Sequence, residues 1–139
     1  MNRPRLIIVD DSALMRQAIE SILNSEYEVV ASVPDGEAAM TASAGLAPEL
    51  VLLDISLPGV NGFEVARQIK RASPVTLIIF LSEHREHSYI EAAFSAGGSG
   101  YVIKSKMMSE LLPAIESVFA GEEYGRVDSL AASRDRKHR

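Results

Sequence analysis

Short apolar runs that each stop at a residue able to do chemistry constrain this chain more than any other feature. Leu6-Ile7-Ile8-Val9 stops at Asp10-Asp11, Val51-Leu52-Leu53 at Asp54, the run from Thr76 to Leu81 at Ser82, and Tyr101-Val102-Ile103 at Lys104. A further run, Tyr27 to Val33, is rich in β-branched residues and stops at the turn signal Pro34-Asp35-Gly36. Between the runs, apolar residues recur at helical spacing, as in Met15, Ile19, Ile22 and Leu23 or Tyr89, Ile90, Ala93 and Phe94. That alternation predicts five strand-helix units around a parallel sheet. Parallel strands place their carboxyl ends along one edge, so three acids, a hydroxyl and an ammonium are expected to share one crevice. Such a set can bind a divalent cation and carry a phosphoryl group.

The boundaries follow from local signals. The first strand is expected at about Arg5 to Val9, with Asp11 or Ser12 capping the helix after it. The second helix is expected from Glu37 to Ala44 with Gly45 as its stop, and the third from Phe63 to Arg71 before Pro74. The fourth ends at Gly97-Gly98. The fifth is marked by Leu111, Leu112, Ile115, Val118 and Phe119, with Gly121 as terminator and Pro113 early in the helix, where a missing N–H costs little. The domain is expected to span residues 4–122 and residues 123–139 to form a poorly ordered polar linker or tail. Gly97-Gly98-Ser99-Gly100 lies between a helix and a strand, so it reads as a turn and not as a phosphate-binding loop.

Composition narrows the function classes. The 139 residues suit one domain, and 47% hydrophobic with 24% charged residues suits a soluble globular one. A net charge of −5 provides no basic footprint for nucleic acid, and the absence of cysteine removes thiolate metal sites and disulfides. No apolar stretch reaches the roughly 20 residues of a membrane span. A cytoplasmic location, with no membrane partner, is the expectation. His84 and His87 stand three apart without a third ligand type near them in sequence, so a zinc site is not expected there.

Taken in order, Val9-Asp10-Asp11-Ser12, Leu53-Asp54-Ile55-Ser56-Leu57-Pro58-Gly59 with Asn61-Gly62, Leu81-Ser82 and Gly100-Tyr101-Val102-Ile103-Lys104 resemble the receiver domain of bacterial two-component response regulators. Lys104-Ser105 through Glu110-Leu111-Leu112, Ala114-Ile115 and Ala120-Gly121-Glu122 most resemble receivers that precede a LuxR-type helix-turn-helix domain, and no such output domain is expected within these 139 residues. The resemblance implies a flavodoxin-like (βα)5 domain, doubly wound, with five parallel strands in the order 2-1-3-4-5. It implies Asp54 as phosphoacceptor from a sensor histidine kinase, with Lys104 and Ser82 contacting the phosphoryl oxygens. Mg²⁺, or Mn²⁺, would be held by Asp10, Asp11, Asp54 and the backbone carbonyl of Ser56.

Ser82 and Tyr101 would form the switch, and the signal would leave through the fourth helix, fifth strand and fifth helix, toward transcriptional regulation. A homodimer is a possible output, and DNA would be contacted only by a further helix-turn-helix domain. The domain would catalyse only its own phosphotransfer and dephosphorylation. Two departures from the family stand out: Ser105 replaces the common proline, so a trans bond is expected after Lys104, and Glu83 adds negative charge at the rim.

Two other functions compete. A haloacid-dehalogenase-type phosphatase needs a second acid two residues after its nucleophile, yet Ser12 and Ser56 hold those places. A phosphorylation-independent interaction module would not need the acid set.

Overall fold

The computed structural model describes residues 3–23 and 25–126. Its elements are β1 (Arg5–Val9), α1 (Ala13–Leu23), β2 (Glu28–Val33), α2 (Gly36–Leu46), β3 (Leu50–Leu53), α3 (Gly62–Ala72), β4 (Leu77–Ser82), α4 (His87–Ser95), β5 (Gly100–Ile103), a 3₁₀ turn (Lys104–Lys106) and α5 (Met107–Phe119). The strands form one sheet, all parallel, in the order β2-β1-β3-β4-β5. This is the expected doubly wound arrangement.

The central strands are apolar throughout because both faces are covered. Side chains alternate between the faces: Ile7, Val51, Ile78 and Phe80 meet Val65, Ile69 and Ala93 on the α2–α3–α4 side. Leu6, Ile8, Leu52, Ile79 and Val102 meet Ile19, Leu23, Leu111 and Ile115 on the α1–α5 side. Reversal occurs after β1, from which one half of the sheet winds outward through β2 and the other through β3, β4 and β5. A crevice at the carboxyl edge follows from that geometry.

Four local expectations change. Gly45 does not stop α2, which runs on to Leu46 and ends at Ala47, a residue at φ 48° and ψ 62°. Pro48 supplies the reason, since it disfavours helical geometry in the residue before it. The Arg5 guanidinium donates to the Leu46 and Ala47 carbonyls, 2.6 and 3.1 Å away, which satisfies the helix end. Second, Pro113 is not early in its helix: α5 begins at Met107, making Pro113 the seventh residue. Pro113 has no N–H to offer the Ser109 carbonyl, and both residues lie on the exposed face of the helix, where a missing bond costs less than in the core.

Third, Ser82 belongs to β4 instead of following it, paired with Ile103. Fourth, the chain does not leave the domain at Glu122, because Tyr124 bridges to Gly100. The basic ending Arg134 to Arg139 lies outside the described residues.

Candidate functional site

Adjacent strands bring the acids together. Val9 of β1 pairs with Leu53 of β3, and the Asp54 N–H donates to the Val9 carbonyl at 3.1 Å, so Asp10 and Asp54 leave the sheet side by side. The loop after Asp10 turns into α1 through two bonds. The Ser12 N–H donates to Asp10 Oδ1 at 2.9 Å, and the Met15 N–H donates to Ser12 Oγ at 3.1 Å. Ser12, not Asp11, is therefore the cap, and Asp11 stands exposed at the crevice. One carboxylate oxygen from each of Asp10, Asp11 and Asp54 lies within 4.8 Å of the others, the one cluster of potential metal-ligating residues found among the described residues.

The loop after Asp54 is built by its glycine. Asn61 caps α3 by accepting the Glu64 N–H at 3.0 Å, and the Gly62 N–H donates back to the Ile55 carbonyl at 2.8 Å. A Cβ on Gly62 would overlap the Asp54 carbonyl. Only glycine lets α3 begin that close to the end of β3.

Lys104 reaches across from the end of β5. Its Nζ lies 2.7 Å from Asp10 Oδ2 and 3.0 Å from Asp54 Oδ2, while the Ser56 N–H donates to Asp54 Oδ1 at 3.3 Å. Burial pushes the Asp54 carboxyl above the ordinary carboxylate range; Lys104 and the Ser56 amide oppose that rise and Asp10 adds to it. Burial alone would lower Lys104, but its bonds to Asp10 and Asp54 outweigh that and hold the ammonium protonated. Three carboxylates against one ammonium leave a formal surplus of two negative charges. Like charges about 4 Å apart repel by roughly 4 kcal/mol at an effective dielectric of 20. A doubly charged cation with hard oxygen ligands matches the surplus in sign, size and chemistry.

The crevice has a volume of about 290 Å³, and Ser56, Ser82, Glu83, His84 and Lys104 line it together with the acids. Ser82 is fully buried, its Oγ accepting the His84 N–H at 3.1 Å. Tyr101 is buried behind it, its hydroxyl donating to the His84 carbonyl at 2.8 Å, and burial raises the phenol above its ordinary pKa. Glu83 is exposed at the rim, as its position suggested. No cis peptide bond occurs among the described residues, which agrees with the trans bond expected at Ser105; its Oγ accepts a bond from Arg85 at 2.8 Å.

His84 is the residue that sequence reasoning passed over. Considered only as a partner of His87, it proves to be a junction: its ring lies parallel to Tyr89 at 3.9 Å, and Nε2 is 3.3 Å from Ser56 Oγ. Its backbone meets both Ser82 and Tyr101. The signal was its place, two residues beyond a strand-end hydroxyl on the active edge.

Comparison with known proteins agrees with this geometry. A family model described as the response regulator receiver domain matches residues 6–116. The transcriptional regulatory protein DegU of Brevibacillus brevis is 34% identical over 125 residues, which cover 88% of this chain and 53% of that protein. Response regulator UvrY of Escherichia coli is 35% identical over 121 residues, covering 86% and 56%. The chain thus spans about half the length of these curated relatives. Among solved structures, a LuxR-family two-component response regulator from an Aurantimonas species superposes with a TM-score of 0.89 at 29% identity, covering 99% of this chain and 100% of that one. No helix among the described residues is long and apolar enough to cross a membrane. With its acid trio at the carboxyl edge of a 2-1-3-4-5 sheet, the chain belongs to the response regulator receiver domain family of two-component systems.

Proposed function

We propose that this domain is a phosphorylation-activated switch that accepts a phosphoryl group on Asp54 from a phosphohistidine of a sensor kinase. The observation that carries the reading is the bridging of Asp10 and Asp54 by Lys104 beside Asp11. A carboxylate oxygen of Asp54 attacks phosphorus, an O–P bond forms, and the P–N bond of the donor breaks with its electron pair leaving on the imidazole nitrogen. Asp10, Asp11, Asp54 and the Ser56 carbonyl would hold Mg²⁺, which when bound would neutralise charge on the phosphoryl oxygens. Lys104 moves from pairing with carboxylates to pairing with a phosphoryl oxygen, and Ser82 donates its hydroxyl to another.

These last two contacts exist only in the modified state, so they supply the differential interaction that a switch needs. The added charge is about −1.5 to −2 at pH 7. Moving an equilibrium from 1:99 to 99:1 takes about 5.5 kcal/mol, more than one hydroxyl contact provides. Phosphorylation therefore biases the α4–β5–α5 face, and a partner or a second copy completes the change. Transcriptional control is the output this reading favours, exerted through a helix-turn-helix domain in the whole protein. The chemistry is confined to the domain's own phosphotransfer and dephosphorylation, in a cytoplasmic setting.

Mg²⁺ at a hundred times its dissociation constant is expected to stabilise the fold by about 2.7 kcal/mol, a rise in melting temperature on the order of 10 °C for a domain of this size. Differential scanning fluorimetry with Asp11→Ala checks the ligand set. A full shift in that variant would remove Asp11 from it. Glu83→Ala is expected to speed labelling by acetyl phosphate roughly twofold to tenfold at low salt, because a rim carboxylate repels an anionic donor, and salt should erase the gain. Equal rates at low salt would clear Glu83 of that role.

A further inference from the structure

The segment after α5 returns along the open side of β5. Tyr124 forms a parallel bridge with Gly100: the Tyr101 N–H donates to the Tyr124 carbonyl at 2.8 Å, and the Tyr124 N–H donates to the Ser99 carbonyl at 3.1 Å. β5 is the last strand of the sheet, so these bonds cover backbone groups that an edge strand otherwise offers to solvent or to another chain. Gly125 has φ +94°, and a Cβ there would overlap the Tyr101 carbonyl, so the close approach requires glycine.

Arg126 then closes onto α4. Its Nη2 lies 3.2 Å from Glu91 Oε1, its Nη1 lies 3.5 Å from Glu123 Oε2, and its Cζ stands 5.2 Å from the centroid of the Phe94 ring. Glu91 and Phe94 are three residues apart and so share a face of the helix. A planar guanidinium can pair with a carboxylate and lie over a ring at once.

Tyr101 is thereby held at both ends. Its N–H is bonded to the returning segment, while its hydroxyl is bonded to the His84 carbonyl in the β4–α4 loop. The His84 N–H is in turn bonded to Ser82 Oγ, at the mouth of the acceptor crevice. The Ser82 Oγ expected to meet a phosphoryl oxygen is thus also the acceptor that holds this loop, and any movement of it is felt there first. The loop and α4 are next in the chain of contacts. Residues Glu123–Arg126 grip β5 and α4 together, so a shift of one element against the other must break either the backbone pair or the Arg126 contacts.

We propose that Glu123–Arg126 is an autoinhibitory strap, docked across β5 and α4 in the phosphate-free form and released when Asp54 is phosphorylated. The proposal rests on the assignment of Asp54 above. Coupling between two sites is reciprocal, so a strap released by phosphorylation must also oppose phosphorylation.

The test is amide hydrogen exchange on the full chain, free and with beryllium trifluoride plus Mg²⁺ as the phosphoryl mimic, alongside affinity for that mimic. The mimic is expected to speed exchange at the Tyr101 and Tyr124 amides about tenfold while Leu111 and Ile115 stay protected. Arg126→Ala is expected to speed the same two amides without the mimic and to tighten mimic binding by a comparable factor. If acetyl phosphate labels Asp54 yet the mimic leaves both amides unchanged, the strap is refuted and the acceptor assignment stands. Arg126→Ala that lowers the melting temperature without altering mimic affinity refutes it too, leaving a merely structural segment. Absence of any labelling on Asp54 removes both readings together.

Discussion

Asp54→Asn is expected to end covalent labelling by acetyl phosphate and by a cognate kinase, with an intact-mass spectrum that no longer shows the phosphoryl adduct. The amide keeps the size and shape of the carboxylate but has no anionic oxygen to attack phosphorus. The loss does not come from unfolding. Asp10 retains its 2.7 Å pair with Lys104, and the variant relieves the burial and the repulsion from Asp10 that push the Asp54 carboxyl upward. Against that relief stands one lost charge-assisted bond of about 1.5–3 kcal/mol before compensation. The net change in stability is therefore expected within about 1 kcal/mol, and urea denaturation measures it. A persistent adduct in a folded Asp54→Asn protein would place the acceptor elsewhere.

Phe80→Ala is expected to cost about 3–5 kcal/mol, a large part of the roughly 5–15 kcal/mol that holds a typical domain together. Phe80 is fully buried on β4, its ring 5.7 Å from that of Phe63 on α3, and it leaves no room for a Cβ on Gly98. Backbone on one side and two covering helices on the other limit collapse into the space, so the cavity term is expected in full. The urea midpoint should fall while the slope stays constant. Val75→Ala, at a residue 86% exposed, serves as control and should change stability by less than about 0.5 kcal/mol. A loss below about 1 kcal/mol for Phe80→Ala would show that the α2–α3–α4 side of the core packs differently. Phe63 also touches Tyr89, which stacks on His84, so a chain of ring contacts links this part of the core to the loop that borders the crevice.

Much of the architecture was readable in the chain because it rests on local patterns. Uniformly apolar runs signal strands covered on both faces, as Val51 to Leu53 proved to be, and stripes such as Ile90, Ala93 and Phe94 signal helices that pack by one side. Helix ends were less legible. Gly45 carried the usual stop signal, yet α2 ended at Ala47 because a proline follows and an arginine from β1 satisfies its carbonyls. Pro113 was tolerated inside α5 because its face is exposed. Pro48 is a local signal, but the Arg5 contacts and the exposed face around Pro113 are set by packing between distant segments, which a local pattern does not record.

The same division runs through the site. Sequence by itself determined which residues stand at the carboxyl edge, since each terminates or closes its own strand: Asp10, Asp11, Asp54, Ser82 and Lys104. The parallel sheet then obliges them to meet. Only the tertiary structure decided how they meet. Lys104 pairs with Asp10 and Asp54, Asp11 is left exposed, and His84 joins Ser82, Ser56, Tyr89 and Tyr101. The return of Tyr124 and Arg126 onto β5 and α4 had no local signature at all. Side-chain pairing across loops is set by the spacing of packed elements and by the desolvation of charges between them, quantities that exist only once the sheet has closed and water has left.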